Sequence, residues 1–292
     1  MKLVSFRRRD GSKGWGLLRE QAVIDGRRLL DGTVCSLRQA LARFPARGEL
    51  SAALAADADA VRPDIALADL TLLPVLPDPA KIFCVGLNYR SHAAEAGRAV
   101  AEHPSLFIRL ADTLVGHGAA LVRPALSAHF DYEGELAVVI GKPGRHIAAA
   151  DALDHVAGYS CFNDGSLRDY QKHSVTAGKN FHASAGFGPW LVTADEVADP
   201  AALEVTTRLN GAVVQQAPTA AMLYSIPQIL AYISGFTPLA PGDVIATGTP
   251  DGVGALRSPP LWLKPGDVVE VAVSGIGTLR NPIAPEAPVR PS

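Results

Sequence analysis

Turn-forming residues occur along the whole chain and limit how long any helix can be. Of the 292 residues, 27 are glycine and 22 are proline, about one residue in six. Glycine supplies the positive φ of tight turns, and proline interrupts both helices and central strands. We therefore expect a turn-dense, β-rich chain with short helices. At about 150 residues per domain, the length predicts two domains, or one large domain with an appendage.

Charge and composition exclude several classes of protein. The 27 Lys and Arg residues nearly balance the 29 Asp and Glu residues, so there is no basic surface for a nucleic acid. With 48% hydrophobic and 19% charged residues, the chain is too apolar to be disordered. Three isolated cysteines favour a reducing compartment. No apolar signal-sequence core follows Arg7-Arg8-Arg9, and no apolar run approaches the roughly 18–20 residues of a membrane span. We expect a cytoplasmic protein that binds neither nucleic acid nor membrane.

A change in composition near residue 78 predicts a boundary between two unequal parts. Residues 1–34 predict short strands around Asp10-Gly11, and residues 36–60 predict helices broken at Pro45 and Gly48. Four prolines between residues 63 and 79 precede a strongly apolar run. We predict a small N-terminal accessory domain over residues 1–78, a larger domain over residues 79–285, and a tail over residues 286–292.

The larger part has the pattern of a mixed α+β fold, without regular βαβ alternation. Helices are predicted over residues 88–97 and 226–234. Strands are predicted over residues 82–86, 106–108, 121–122, 132–140, 244–247 and 268–273, with a hairpin over 205–214 that turns at Asn210-Gly211.

Two glutamates separated by one residue carry the strongest chemical signal. Glu133 and Glu135 lie at the start of the predicted strand over residues 132–140. Alternate side chains of a strand point to one face, so the two carboxylates project side by side. Burying two like charges is unfavourable unless a cation compensates, and carboxylate oxygens suit Mg²⁺, Mn²⁺ or Ca²⁺. The alternative is a strand end that reaches solvent, where no cation is needed.

Other side chains allow both a chemical and a structural interpretation. Asp164, in an Asn-Asp-Gly turn, is either a third acidic ligand or a turn or helix-cap residue. His92 and Glu95 share one face of a predicted helix. Glu95 can therefore fix the tautomer of a basic His92, or the two can form an exposed surface pair. Lys179 lies in a predicted loop, where a lysine is normally solvated.

In their order along the chain, several motifs resemble those of the fumarylacetoacetate hydrolase family. The matching segments are Gly86-Leu87-Asn88-Tyr89 with His92 and Glu95, Asp131-Tyr132-Glu133-Gly134-Glu135-Leu136, Asn163-Asp164 with Arg168 and Gln171, Gly178-Lys179, and Pro241-Gly242-Asp243 with Thr247-Gly248-Thr249-Pro250. The resemblance covers about residues 80–283. The sequence departs from the usual Asn-Asp-Val-Ser/Thr-Ala-Arg-Asp pattern at Gly165 and Leu167, and from Ser-Phe-Asp-Thr after the lysine.

The resemblance implies a fold, a metal centre and a set of site residues. The implied fold is an α+β fold, a mixed β-roll with flanking helices, and members are typically homodimers or dimers of dimers. Residues 1–78 look like the extra N-terminal domain of longer bacterial members. The implied ligands of Mg²⁺ or Mn²⁺ are Glu133, Glu135 and Asp164. The implied catalytic residues are His92, Glu95 and Lys179, and the implied substrate contacts are Arg168, Gln171 and Thr249.

From this resemblance we expect a metal-dependent hydrolase that cleaves a carbon–carbon bond in a 2,4-dioxo acid, such as an acylpyruvate or fumarylpyruvate. His92 would activate the attacking water, Arg168 would hold the substrate carboxylate, and the metal with Lys179 would stabilise the enolate leaving group. The same site would serve an oxaloacetate decarboxylase, or an isomerase or hydratase of an unsaturated 2-oxo diacid. A non-catalytic sensor of a 2-oxo acid is a third hypothesis, which the presence of both His92 and Glu95 disfavours.

Overall fold

The computed structural model describes residues 1–58, 61–63 and 65–287. Its strands are β1 Lys2–Arg7, β2 Lys13–Arg19, β3 Ala22–Asp25, β4 Ile65–Ala66, β5 Thr71–Leu72, β6 Ile82–Gly86, β7 Ser105–Ile108, β8 Leu114–Val115, β9 Leu121–Arg123, β10 Phe130–Asp131, β11 Gly134–Ile140, β12 Val156–Asn163, β13 Ser166–Leu167, β14 Ala185–Thr193, β15 Glu204–Leu209, β16 Ala212–Pro218, β17 Val244–Ala246, β18 Val268–Val273 and β19 Gly277–Pro285. Its helices are α1 Gly26–Leu29, α2 Leu37–Arg43, α3 Glu49–Ala58, α4 Arg90–Glu95, α5 Arg168–Gln171, α6 Val175–Lys179 and α7 Ile226–Phe236. None of these helices is long and apolar enough to cross a bilayer.

Two sheets of mostly antiparallel strands organise the fold, with a short separate pairing of β10 and β13. The larger sheet has the order β4-β3-β2-β1-β14-β12-β11-β17-β6-β7, with β5 on β1 and β8 on β14. The smaller sheet has the order β16-β15-β18-β19-β9. The mixed α+β fold expected from the sequence is confirmed.

Strand β11 is buried on both faces and separates two apolar cores. Ala137 and Val139 pack in a first core that includes Leu3 and Trp15 from the N-terminal part of the chain. Residues on the opposite face, such as Val138, pack in a second core with α7 and the smaller sheet. Because side chains alternate along a strand, Glu135 lies on the face of Ala137 and Val139.

The N-terminal residues share a sheet and a core with the rest of the chain. Strand β1 pairs antiparallel with β14, with Leu3 opposite Leu191. The domain division near residue 78 stays a prediction. Of the predicted tail over residues 286–292, residues 288–292 lie outside the described residues.

Most short-range predictions agree with the structure. The β1/β2 and β15/β16 hairpins form, and Asn210 and Gly211 have φ of 52° and 84°, as a two-residue hairpin turn requires. Helices α2 and α3 are separated by the segment that contains Pro45 and Gly48.

The strand predicted over residues 132–140 begins later than expected. It starts at Gly134, and the preceding residues Phe130 and Asp131 instead pair with β13. The Asp131 carboxylate accepts hydrogen bonds from the backbone N–H groups of Tyr132, Gly254 and Ala255, which hold the chain out of the β11 ladder. The prediction that Glu133 and Glu135 share one strand was therefore wrong.

Candidate metal and catalytic site

Three carboxylates converge at the ends of β11 and β12. Glu135 belongs to β11, Glu133 immediately precedes that strand, and Asp164 immediately follows β12. The antiparallel pairing places Gly134 opposite Asn163, and the N–H of Asp164 donates to the carbonyl of Glu133 at 2.8 Å. One oxygen from each carboxylate lies within 4.8 Å of the others, and all three residues are buried. The solvent-exposed interpretation of the two glutamates is therefore wrong.

Lys179 lies inside this cluster, so the prediction of a solvated loop lysine was wrong. It is the last residue of α6 and is 1% exposed. Its Nζ is 2.6 Å from Glu133 Oε2 and 2.6 Å from Asp164 Oδ2. Gly178 permits this position, because a Cβ there would lie 2.6 Å from the Cα of Gln171. The close packing of α6 on α5 directs the lysine inward.

Arg168, at the start of α5, is bound by protein side chains through all three guanidinium nitrogens. Nε donates to Asp131 Oδ2 at 2.8 Å, Nη2 lies 2.7 Å from Glu133 Oε1, and Nη1 donates to Gln171 Oε1 at 2.9 Å. The substrate-contacting roles of Arg168 and Gln171 stay predictions. In this structure Arg168 holds Glu133 in place.

Arg109 is a site residue that sequence reasoning missed. It follows β7, and its side chain is completely buried beside Asp164, with 2.6 Å between Nη1 and Oδ1. Its Nη2 donates to Ser184 Oγ at 2.7 Å. The available signal was a single arginine in the apolar run Leu106-Phe107-Ile108-Arg109-Leu110, but nothing local indicates a partner 55 residues away.

Glu135 is the carboxylate of the three that has no cationic side chain within ion-pair distance among the described residues, although the charge of Lys179 acts on it from farther away. Its Oε2 accepts the N–H of Gly248 at 2.8 Å. Burial and then the charges of Asp164 and Glu133 raise the pKa of Glu135 well above its usual value. Burial would also raise the pKa of Glu133, but Lys179 and Arg168 lower it to about 2. The protein thus balances Glu133 and Asp164 and leaves Glu135 uncompensated.

This donor set fits a divalent cation. Three clustered carboxylates offer hard oxygen ligands, and the added positive charge would compensate the one that the protein leaves unpaired. The residues can therefore hold Mg²⁺ or Mn²⁺.

His92 and Glu95 form a pair on α4 in which His92 is buried and Glu95 is half-buried. His92 is 6% exposed, and its Nδ1 lies 3.2 Å from Glu95 Oε2. The second oxygen of Glu95 accepts the N–H of Gly252 at 3.0 Å. A charge on the His92 ring would help to lower the pKa of Glu133, so the pair lies near the carboxylates. The interpretation as an exposed surface pair is therefore wrong.

Thr249 lies against the start of β11 through two hydrogen bonds. Its hydroxyl donates to the carbonyl of Gly134 at 3.0 Å and accepts from Gln215 Nε2 at 2.8 Å. Gln215 Oε1 in turn accepts the N–H of Gly134 at 3.0 Å, so this buried glutamine fixes the backbone between the two glutamates. Sequence reasoning did not select Gln215, and the role of Thr249 as a substrate contact stays a prediction.

Comparison with known proteins decides the family. Residues 81–284 match the family described as fumarylacetoacetate (FAA) hydrolase C-terminal. The chain belongs to this family. Human mitochondrial oxaloacetate tautomerase FAHD2A is 40% identical over 253 residues, which cover 85% of this chain and 81% of that protein. The resemblance inferred from the motifs is confirmed.

Solved structures in the family have the same fold. The fumarylacetoacetate hydrolase of psychrophilic Exiguobacterium antarcticum is 35% identical, with a TM-score of 0.80 over 98% of this chain and 100% of that chain. Maleylpyruvate hydrolase from Sphingobium sp. SYK-6, solved in complex with a manganese(II) ion and pyruvate, is 28% identical, with a TM-score of 0.81 over 98% and 100% of the respective chains. The family is one of enzymes that act on small molecules.

Proposed function

We propose that this protein is a divalent-metal-dependent enzyme of 2-oxo acids, and that it interconverts the enol and keto forms of oxaloacetate. The observation that carries the proposal is the buried carboxylate cluster, one member of which has no ion-pair partner in the part of the chain that the structure describes, beside a histidine held by a glutamate. The 40% identity to an oxaloacetate tautomerase supports this choice of reaction.

Glu133, Glu135 and Asp164 would hold Mg²⁺ or Mn²⁺, which when bound polarises the 2-oxo group as a Lewis acid. Lys179 and Arg109 keep Asp164 oriented, and Arg168 keeps Glu133 oriented. These contacts fix the ligand oxygens before substrate arrives, so little reorganisation is needed on binding.

The His92–Glu95 pair would move the proton. Glu95 accepts from Nδ1–H of His92 and is itself held by the N–H of Gly252, which leaves Nε2 as the basic nitrogen. In ketonisation Nε2 would take the proton of the enol hydroxyl and deliver it to the neighbouring carbon, and in enolisation it would take a proton from that carbon and deliver it to the 2-oxo oxygen. A base placed in this way contributes about 10²–10⁴-fold to the rate.

Hydrolysis of a carbon–carbon bond in a 2,4-dioxo acid is the second candidate, and the 28% identity to maleylpyruvate hydrolase supports it. In that reaction His92 Nε2 would deprotonate water, and Lys179 would stabilise the enolate that leaves. Decarboxylation of oxaloacetate and isomerisation or hydration of an unsaturated 2-oxo diacid would use the same groups. That the protein forms a homodimer and that it is cytoplasmic stay predictions.

A panel of substrates, each with Mn²⁺ and with a chelator, tests the proposal. We expect the purified protein with Mn²⁺ to accelerate loss of the ultraviolet absorbance of enol-oxaloacetate, and His92→Ala to abolish this effect. Glu20→Gln, at an exposed position, is the matched control and should behave as wild type. If the protein instead cleaves an acylpyruvate or maleylpyruvate faster than it tautomerises oxaloacetate, the second candidate is favoured. No metal-dependent reaction with any 2-oxo acid would contradict the proposal.

A further inference from the structure

Tyr89 is a completely buried residue at the beginning of the helix that carries His92 and Glu95. It occupies the N-cap position of α4, and its carbonyl accepts the N–H of Ala93 at 2.9 Å. None of the roles proposed above uses its side chain.

The backbone at Tyr89 is fixed by its neighbour. Asn88 Nδ2 donates to the carbonyls of Thr247 at 2.7 Å and Tyr224 at 3.0 Å, and its Oδ1 accepts the N–H of Tyr224 at 2.8 Å. Tyr89 itself forms an antiparallel bridge with Met222. The phenol ring therefore extends from a rigid segment, and its position is set before any ligand binds.

The hydroxyl of Tyr89 has no hydrogen-bond partner among the described residues. Leaving a buried polar group unpaired is unfavourable. Burial raises the pKa of Tyr89, so the group is a protonated donor at neutral pH. A rigidly held donor without a partner among the described residues is suited to a hydrogen bond with a bound ligand.

Glu135 lies near this donor. After burial, the charge of Glu135 is the second cause of the raised pKa of Tyr89. Asn88, the residue before Tyr89, also lies close to the segment that binds Glu135: Gly248 donates to Glu135 Oε2, and a Cβ on Gly248 would lie 2.6 Å from Asn88 Cβ. The unpaired hydroxyl and the uncompensated carboxylate thus lie in the same part of the site.

We infer that Tyr89 contacts the substrate, and that its hydroxyl donates a hydrogen bond to the 2-oxo oxygen of the acid bound beside Glu135. This inference rests on the proposed function. The 2-oxo oxygen gains negative charge as the neighbouring carbon loses its proton, so the hydrogen bond strengthens during the reaction. Tyr89 would then act on turnover more than on substrate affinity.

Tyr89→Phe, which removes only the hydroxyl, tests the inference. Tyr159→Phe is the control, because Tyr159 is 1% exposed but packs in the second core. We expect Tyr89→Phe to bind Mn²⁺ as wild type does, with an unchanged melting temperature. Calorimetry with oxalate, a non-reacting mimic of the enolate, should show an affinity about 10–100-fold weaker, as for loss of a hydrogen bond to a charged group. In turnover, kcat should fall on the order of 10²-fold with little change in KM.

Oxalate affinity within twofold of wild type, or weaker Mn²⁺ binding together with a lower melting temperature, would overturn the inference. So would a wild-type protein that binds Mn²⁺ but not oxalate. If oxalate binding depends on Tyr89 while no 2-oxo acid reacts, the inference holds and the proposed function fails.

Discussion

Two glutamates separated by one residue should respond in opposite directions to the same substitution. Glu133 is paired with Lys179 and Arg168, whereas Glu135 has no cationic partner among the described residues. We expect Glu133→Gln to destabilise the metal-free protein and Glu135→Gln to stabilise it. Both variants should lose affinity for Mn²⁺, because each removes one carboxylate ligand of the cluster.

The magnitude for Glu133 follows from its pKa. A carboxyl whose pKa falls from 4.5 to about 2 on folding stabilises the folded state by about 3 kcal/mol at neutral pH. That contribution is complete above pH 4.5 and is lost as the pH falls towards 2. The estimate agrees with the 3–5 kcal/mol typical of breaking a buried ion pair.

For Glu135, ionisation has the opposite effect on the stability of the folded state. Its pKa is raised on folding, so above pH 4.5 the unfolded chain releases this proton while the folded chain retains it. The wild type should therefore lose stability relative to Glu135→Gln as the pH rises above 4.5 towards the folded pKa. Below pH 4 the two proteins should be equally stable.

Urea unfolding in the presence of a chelator, measured from pH 4 to pH 7, distinguishes the two effects. Glu20→Gln, at an exposed position, serves as the control and should lie within about 0.5 kcal/mol of wild type. A stability change of the same sign in Glu133→Gln and Glu135→Gln would refute the assignment of charges in the site. A difference for Glu135→Gln that does not vary with pH would refute the raised pKa.

Three further predictions concern the surrounding groups. Arg109→Met should lower the free energy of unfolding by about 3–5 kcal/mol, because Asp164 and Ser184 lose a buried donor. Urea unfolding measures this change, and Arg109→Lys should lower the free energy of unfolding by less. His92→Ala should keep its affinity for Mn²⁺ in calorimetry while kcat for oxaloacetate tautomerisation falls by about 10²–10⁴-fold; wild-type turnover would contradict the role of the base. Removal of metal by a chelator should abolish turnover, and added Mn²⁺ should restore it; activity that persists in the chelator would contradict the metal site.

The sequence was most informative where partners lie close along the chain. Asn210-Gly211 specifies a hairpin because both residues tolerate positive φ, and the apolar run over residues 136–140 predicts the buried strand β11. Glu133 and Glu135 were selected because their i, i+2 spacing predicted one face of a strand, and Asp164 because it lies in an Asn-Asp-Gly turn. Their family motifs strengthened that prediction.

The site residues and contacts that the sequence did not predict depend on packing between segments distant in the chain. The local sequence around Lys179 does not distinguish it from a surface lysine. Only the packing of Gly178 on Gln171 directs its side chain towards the carboxylates. Arg109 lies 55 residues from Asp164, and Gln215 lies 81 residues from the backbone of Gly134 that it binds. No local pattern encodes such pairings, because they arise from the order of strands in the two sheets.

The location of a bound cation tests the central claim most directly. Crystals of the protein soaked in Mn²⁺ can be measured at the manganese absorption edge, where anomalous scattering identifies the metal. We predict one strong peak at about 2.1 Å from carboxylate oxygens of Glu133, Glu135 and Asp164, and no such peak in Glu135→Gln crystals. Manganese bound elsewhere, with none between the three carboxylates, would contradict the account.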